Sequence, residues 1–247
     1  MRSDERRENA AGVSKVPAEL SRQIALLARE FFVPDDLDRT LGGITAAAAE
    51  LIAVADGIDI TLLTGPEKFR SVAATTPLAS TLDALQIELG QGPCLDVVTA
   101  DPIIRVQDMR TETRWPAYAP AAVEAGVFSC LSVRLYTHRD DVGALNLFSH
   151  AADAFGAGDE ALADILATQA AAALTAARIH EQLTSALCSR DIIGQAKGII
   201  MERFGVDAAH AFEMLRRMSQ NRNIPLVEIA TRLIASGPER HPRRTTW

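Results

Sequence analysis

Cysteine is scarce in this chain, and so are long apolar runs and recognisable catalytic signatures. The three cysteines, Cys94, Cys130 and Cys188, are an odd number with no C-x-x-C spacing. That pattern argues against a disulfide framework and against a zinc site, and no metal is expected. The N-terminal stretch MRSDERRENAAG is charged and has no apolar core segment, so no signal peptide is expected. The most apolar tracts, AAAAELIAVA and ILATQAAAALTAA, are alanine-rich and interrupted by Glu50, Gln169 and Thr175. Neither approaches about 20 strongly apolar residues, so no membrane span is expected and a cytoplasmic location follows. No Ser-His-Asp order with supporting motifs, no paired carboxylates in a cleft signature and no nucleotide loop is visible. GQGPCLDVV has glycines that could cradle an anion, but it lacks the G-x-G-x-x-G spacing and the Lys-Ser/Thr of a phosphate loop. It reads instead as a turn that launches a short helix at Pro93. The expectation is a protein that is not an enzyme.

What is present is an ordinary globular composition, 48% apolar and 23% charged over 247 residues, enough for one large domain or two modest ones. The net charge of −7 is unevenly placed. From Cys188 onward ten Lys or Arg face six Asp or Glu, so the end of the chain is basic while the preceding body is strongly acidic. Two domains, the second with an anionic partner, fit that split; so does a soluble protein with a basic tail.

Hydrophobic spacing predicts the elements in order. A helix starting at Pro17 runs to about Phe32, and a second covers Leu37 to about Ala55. IDITLL (58–63) and residues 70–76 read as a strand pair around Gly65-Pro66, followed by a helix over 78–89 that ends at Gly90. IIRV (103–106) is a short strand and residues 115–125 a helix. SCLSVRLY and GALNLFSH alternate around a turn at 138–141 and form the clearest hairpin. From residue 159 to 190 there is no proline or glycine. Leu162, Ile165, Gln169, Ala172, Ala176, Ile179, Leu183 and Ala186 recur at alternating spacings of three and four, a heptad seam suited to pairing with a second copy. Packing of the helix along its own domain is the alternative for its alanine-rich first half.

After residue 190 three short helices are expected. In RDIIGQAKGIIMERFG (190–205), at about 100° per residue, Ile192, Ile193, Ala196, Ile199, Ile200 and Phe204 form an apolar stripe. The outer face carries Arg190, Gly194 and Gly198, with Met201 beside them and Lys197 at the edge. Two outward glycines each cost about 1 kcal/mol relative to alanine, which suggests a close approach by something outside the helix. Asp207 caps the next helix, whose Ala211, Phe212, Leu215 and Met218 are expected to be buried. The last buries Ile229, Ala230, Leu233 and Ile234.

This segment closely resembles the ANTAR domain, an RNA-binding module of bacterial antitermination regulators. The resemblance runs without gaps from about Ser189 to Ser236. It rests on Gln195-Ala196-Lys197-Gly198, Met201, Ala211-Phe212, Leu215-Arg216, Ser219, Asn223 and Ile229-Ala230. It implies binding to tandem RNA stem-loops, with Gly194 and Gly198 admitting the RNA. Arg190 and Lys197 would face phosphates, Met201 would lie beside them, and Arg216, Ser219 and Asn223 would make further polar contacts. The body over about 35–180 resembles the GAF domain, a sensory α+β fold. That resemblance rests on the helix–strand–strand opening, LGQGPCLDVV, the hairpin ending in GALNLFS and the exit helix. The expected architecture is therefore α+β: a disordered segment 1–16, a sensor with an antiparallel sheet over 17–180, and a linker helix over 159–189. An all-α three-helix bundle over 190–236 and a basic tail over 237–247 complete it.

No cofactor is expected; a small-molecule ligand of the sensor is left open, as is control by a partner protein. Cys94, just after Pro93 at a helix start, is either a sensing thiol whose thiolate the helix dipole stabilises or a buried small apolar residue. Rival readings are a DNA-binding regulator using a helix-turn-helix and a sensor-bearing cyclic-nucleotide hydrolase, for which no metal cluster is visible.

Overall fold

The computed structural model describes residues 37–65, 68–136 and 141–237. The expected helix from Pro17, the segment 1–16, the two turn centres and the tail beyond Gly237 lie outside the described residues. The chain divides into two compact units, with the division between Ala177 and Arg178.

The first unit is built on five antiparallel strands: β1 Gly57–Gly65, β2 Lys68–Val72, β3 Ile103–Val106, β4 Ser129–Tyr136 and β5 Asp141–Ser149. Their order across the sheet is β2-β1-β5-β4-β3. Helix α1 (Leu37–Leu51) precedes the sheet; α2 (Pro77–Leu89), α3 (Pro93–Thr99) and α4 (Tyr118–Glu124) lie between strands; α5 (Ala157–Phe204) follows. The hydrophobic spacing thus predicted each element from α1 to β5 to within a few residues, including the short helix launched at Pro93.

Both faces of the central strands are covered, because period-two alternation sends every second side chain to each side. One face carries Ile58, Ile60 and Leu62, Leu131, Val133 and Leu135, with Leu145 and Leu147. Against it pack Leu41, Ile44 and Ala48 of α1 and the stripe Ala163, Leu166, Ala167, Ala170, Ala171 and Leu174 of α5. The other face, with Cys130, Ala144 and Phe148, is covered by Ala79 and Leu82 of α2, Cys94, Val97 and Val98 of α3, and Tyr118, Ala119 and Ala122 of α4.

α5 departs from the sequence expectation. No break occurs near residue 190: the linker and the first helix of the bundle are one helix of 48 residues. Nothing between 159 and 193 can stop a helix, and the two outward glycines that follow weaken it without ending it. It stops at Gly205, whose φ of +64° suits glycine. By length and composition α5 is apolar enough to cross a membrane, contrary to the expectation from its interrupted tracts. Its apolar stripe from Ala163 to Leu174 is, however, covered by the sheet, as in the core helix of a globular unit. Leu162 packs partly against the same core, so the first half of the expected seam is not free.

The second unit packs the end of α5 with α6 (Ala208–Arg222) and α7 (Leu226–Ala235) around Ala196, Ile200, Ala211, Leu215, Ile229 and Ala230. Two aromatic assignments fail there. Phe204 is 58% exposed and Phe212 40% exposed.

β5 meets β1 so closely at Gly143 that a Cβ would overlap the Thr61 carbonyl, and φ there is +151°. Gly143→Ala therefore strains both backbone and pairing. We expect a loss of about 3 kcal/mol or more in urea unfolding; a midpoint equal to the parent's would show that the two strands separate without cost.

Candidate functional sites

In the second unit the structure sets five of the expected contact residues on one face of α5. Arg190, Gly194, Gly198 and Met201 are exposed, and Lys197 is half-buried at the edge. A Cβ built on either glycine would meet nothing within 4 Å. These glycines therefore do not accommodate a neighbouring helix of this chain, among the described residues.

The other three candidates differ. Arg216 is exposed on α6 and forks onto Glu213, with Nε and Nη2 each 2.8 Å from a carboxylate oxygen. Such an exposed pair opens readily to another anion. Ser219 and Asn223 are tied into the α6–α7 turn. The Ser219 hydroxyl donates to the Ile224 carbonyl at 2.5 Å. Asn223 ends α6 in the left-handed conformation, its N–H returning to Gln220 and Ser219. Asp207 caps α6 as expected, accepting from the His210 amide at 2.8 Å.

The first unit holds a polar cluster that the sequence reading missed. On the face covered by α2 to α4, Asp59, Asn146 and Ser132 lie in one row across β1, β5 and β4. The Asn146 amide donates to Asp59 Oδ1 at 2.8 Å and to Thr61 Oγ1 at 2.9 Å, while Ser132 donates to Asn146 Oδ1 at 2.8 Å. Thr61 in turn donates to Asp83 Oδ1 of α2 at 2.6 Å. Among the described residues, Asp59 Oδ2, Asp83 Oδ2, Gln86 Nε2 and the Tyr118 hydroxyl are buried without a hydrogen-bond partner. Burial, and then the charge of Asp83, pushes the Asp59 carboxyl well above the usual carboxylate range. Burial raises Asp83 as well, against the hydrogen bonds it accepts. An acid at the second position of IDITLL, in a strand covered on both sides, was the available signal.

Cys94 belongs to this cluster. Its N–H donates to Gln86 Oε1 at 2.8 Å and its thiol to Asp83 Oδ1 at 3.4 Å. Burial, followed by the charges of Asp83 and Asp59, pushes the thiol well up. Of the two readings of Cys94, its burial agrees with that of a small buried residue. Cys130 is likewise buried, Cys188 is exposed, and all three are free. Among the described residues no group of three His, Cys, Asp or Glu could hold a metal. A polar cleft of about 480 Å³ opens beside β3, lined by Arg105, Gln107, Asp108, Glu112 and Glu160 among others.

A GAF domain model matches residues 34–175. The chain belongs to the GAF family. An ANTAR domain model matches residues 181–234, so the second unit is an ANTAR domain. No curated protein matches the chain. Among solved structures, it is similar to a GAF domain of an Acinetobacter phosphoenolpyruvate-protein phosphotransferase (16% identity, TM-score 0.53, covering 65% of this chain and 95% of that one). It is also similar to free methionine-R-sulfoxide reductase from Neisseria meningitidis (17%, 0.53, 66% and 93%). A third is the chromophore-binding domain of a bacteriophytochrome from R. palustris (10%, 0.52, 66% of this chain and 64% of that one). At these identities the likeness is one of fold. The architecture is that of a regulator, a GAF sensor domain followed by an RNA-binding ANTAR domain.

The raised Asp59 sets a pH dependence. In the unfolded chain this carboxyl ionises near pH 4, whereas the folded site holds its proton to higher pH. The folded state is therefore unpenalised below about pH 4 and loses stability as pH rises from there to the folded pKa. Asn at 59 can still accept from Asn146. Asp59→Asn should raise the melting temperature at pH 8, with the gain shrinking toward pH 4; an equal difference at both would contradict a protonated buried acid.

Proposed function

We propose that this protein is a transcription antitermination regulator whose GAF unit controls the binding of RNA stem-loops by its ANTAR unit. The observation that carries the reading is the open face of α5: two glycines with nothing within 4 Å, flanked by Arg190 and Lys197. Glycines there cost helix stability, and no neighbour in the described chain uses the space. An RNA loop can enter that space, with the flanking cations meeting its phosphates. Arg216 adds a cation once released from Glu213. Ser219 and Asn223 support the α6–α7 turn on this reading, and any contact they make to RNA is secondary.

The protein is non-catalytic and cytoplasmic in this reading, and its sensor answers a small molecule or a partner protein. It acts as a homodimer. Ile179 and Leu183 of the expected seam, together with Leu187, are 52%, 60% and 62% exposed on α5, an apolar row suited to a second copy. Of the proposed seam, Leu162 packs partly on the sensor core and Ile165 is half-buried. Two bundles on one dimer would engage tandem hairpins at high effective concentration. Changing Ile179 and Leu183 to Asp should give monomers by light scattering; an unchanged mass would remove this row as the dimer contact.

Crosslinking the protein to RNA in its own cells and sequencing what is bound tests the central reading. Recovery of hairpin-bearing leaders supports it. Gel shifts that favour duplex DNA over those hairpins would replace it with a DNA-binding regulator.

A paired measurement tests the face itself. Gly198→Ala should raise stability by up to about 1 kcal/mol while weakening hairpin binding. Lys197→Ala should weaken binding and lower its dependence on salt. A stable Gly198→Ala protein that binds hairpins as tightly as the parent would sink the glycine face as the RNA site.

A further inference from the structure

Two exposed aromatics of the second unit, Phe204 and Phe212, stand on either side of the turn that joins α5 to α6. Phe204 lies three residues beyond Met201 and seven beyond Lys197, which puts it on the same face of α5. It is 58% exposed, at the last helical position before the turn formed by Gly205, Val206 and Asp207. Phe212, 40% exposed, sits in the second turn of α6, so both rings belong to the end of the bundle closed by that turn. Phe212 shares its flank with Arg216, four residues on; the opposite flank of α6, Met214 and Met218, is packed on the core.

α7 does not cover this edge. The flank of α5 across its core stripe from Phe204 carries Arg203, whose guanidinium donates to the Gly237 carbonyl at 3.0 Å. The end of α7 therefore lies on the side away from Phe204. The result is an aromatic edge with cations on both helices, Lys197 and Arg190 on α5 and Arg216 on α6. Exposed rings on helices that also carry Lys197 and, once released from Glu213, Arg216 suit a ligand that is anionic along its backbone and flat in its side groups.

We propose that Phe204 and Phe212 form a stacking platform for unpaired loop bases of the RNA. This rests on the RNA-binding reading above, and it assigns a different task from the glycine face: the cations hold phosphates while the rings hold bases. Stacking is tolerant of base identity because every base has a flat face, so these residues contribute affinity for an open loop over a closed stem.

The test uses the full-length protein and the tightest hairpin recovered by crosslinking. Phe204→Ala and Phe212→Ala should each weaken binding roughly tenfold or more, as loss of a stacked base does. Unlike Lys197→Ala, they should leave the salt dependence unchanged. Phe→Leu at either position keeps apolar bulk without a ring and should bind as poorly as Ala, whereas Phe→Tyr should bind like the parent. 2-Aminopurine placed in the loop should change its fluorescence on binding the parent and not the Ala variants. Melting and light scattering on each variant separate these effects from loss of fold or assembly. Parent binding with unaffected Phe variants overturns the platform while leaving the RNA reading intact. Leu variants that bind like the parent, or variants that lose the dimer, overturn it too, since the rings then serve a protein contact. A parent that binds no hairpin removes the RNA reading first.

Discussion

The alanine stripe of α5 lying on the sheet is the contact on which the rest of the sensor depends. Ala163, Ala167, Ala170 and Ala171, with Leu166 and Leu174, form one buried stripe in the same core as the strands. The same surface buries Ile60, Leu131, Val133, Leu145 and Leu147, the middle of three adjoining strands. Each fully buried aliphatic side chain contributes on the order of 2 kcal/mol of transfer free energy. Loss of the helix would thus uncover part of the apolar face that it shares with α1. Its composition then changes twice without a break: exposed polar residues interrupted by Ile179, Leu183 and Leu187, then Ala196 and Ile200 in a second core. One regular helix serves three environments because helix formation tolerates all of these residues and only the apolar side is selected by what covers it.

The opposite face of the sheet obeys a different logic. Its centre holds Asp59, Asn146, Ser132 and Thr61, joined to Asp83 and Cys94 by hydrogen bonds of 2.6 to 3.4 Å. An apolar row would fit two buried faces more simply. Keeping acids there penalises the fold at neutral pH, and among the described residues Asp59 Oδ2, Asp83 Oδ2 and Gln86 Nε2 stay unpaired. Strongly perturbed groups of this kind concentrate where proteins do something other than fold. The same burial that raises the acids also silences Cys94, so thiol chemistry is not what the cluster offers.

Much of this was legible because alternation and helical spacing are strong local signals. IDITLL, SCLSVRLY and GALNLFSH announce strands, and Pro93 after two glycines announces a short helix; the ANTAR motifs announce the bundle. Three things were hidden. The continuity of α5 through residue 190 was obscured because a change in what packs against a helix looks, in sequence, like a change of element. The polar row depends on register: only pairing Asp59 with Asn146 and Asn146 with Ser132 makes three separate polar residues one feature. Phe204 and Phe212 were assigned inward because an aromatic at the edge of an apolar stripe has the same spacing whether it turns to the core or stands beside it.

That last ambiguity sharpens the reading of the second unit. An exposed ring and an outward glycine are opposite departures from an ordinary helix surface, one too large and apolar, the other too small. On α5 they occupy a single face, with Gly194 and Gly198 at its middle and Phe204 at its end. The glycines give up about 2 kcal/mol of intrinsic helix stability between them, in a bundle whose core is only six fully buried residues. A surface selected for folding alone would place alanine or a charged residue at each of these positions. A surface that must receive a ridged, anionic, aromatic-bearing polymer wants low ground for the backbone, cations beside it and a ring where the bases turn out. The distribution of small, charged and aromatic residues over one face of α5 and the adjoining edge of α6 follows that second requirement.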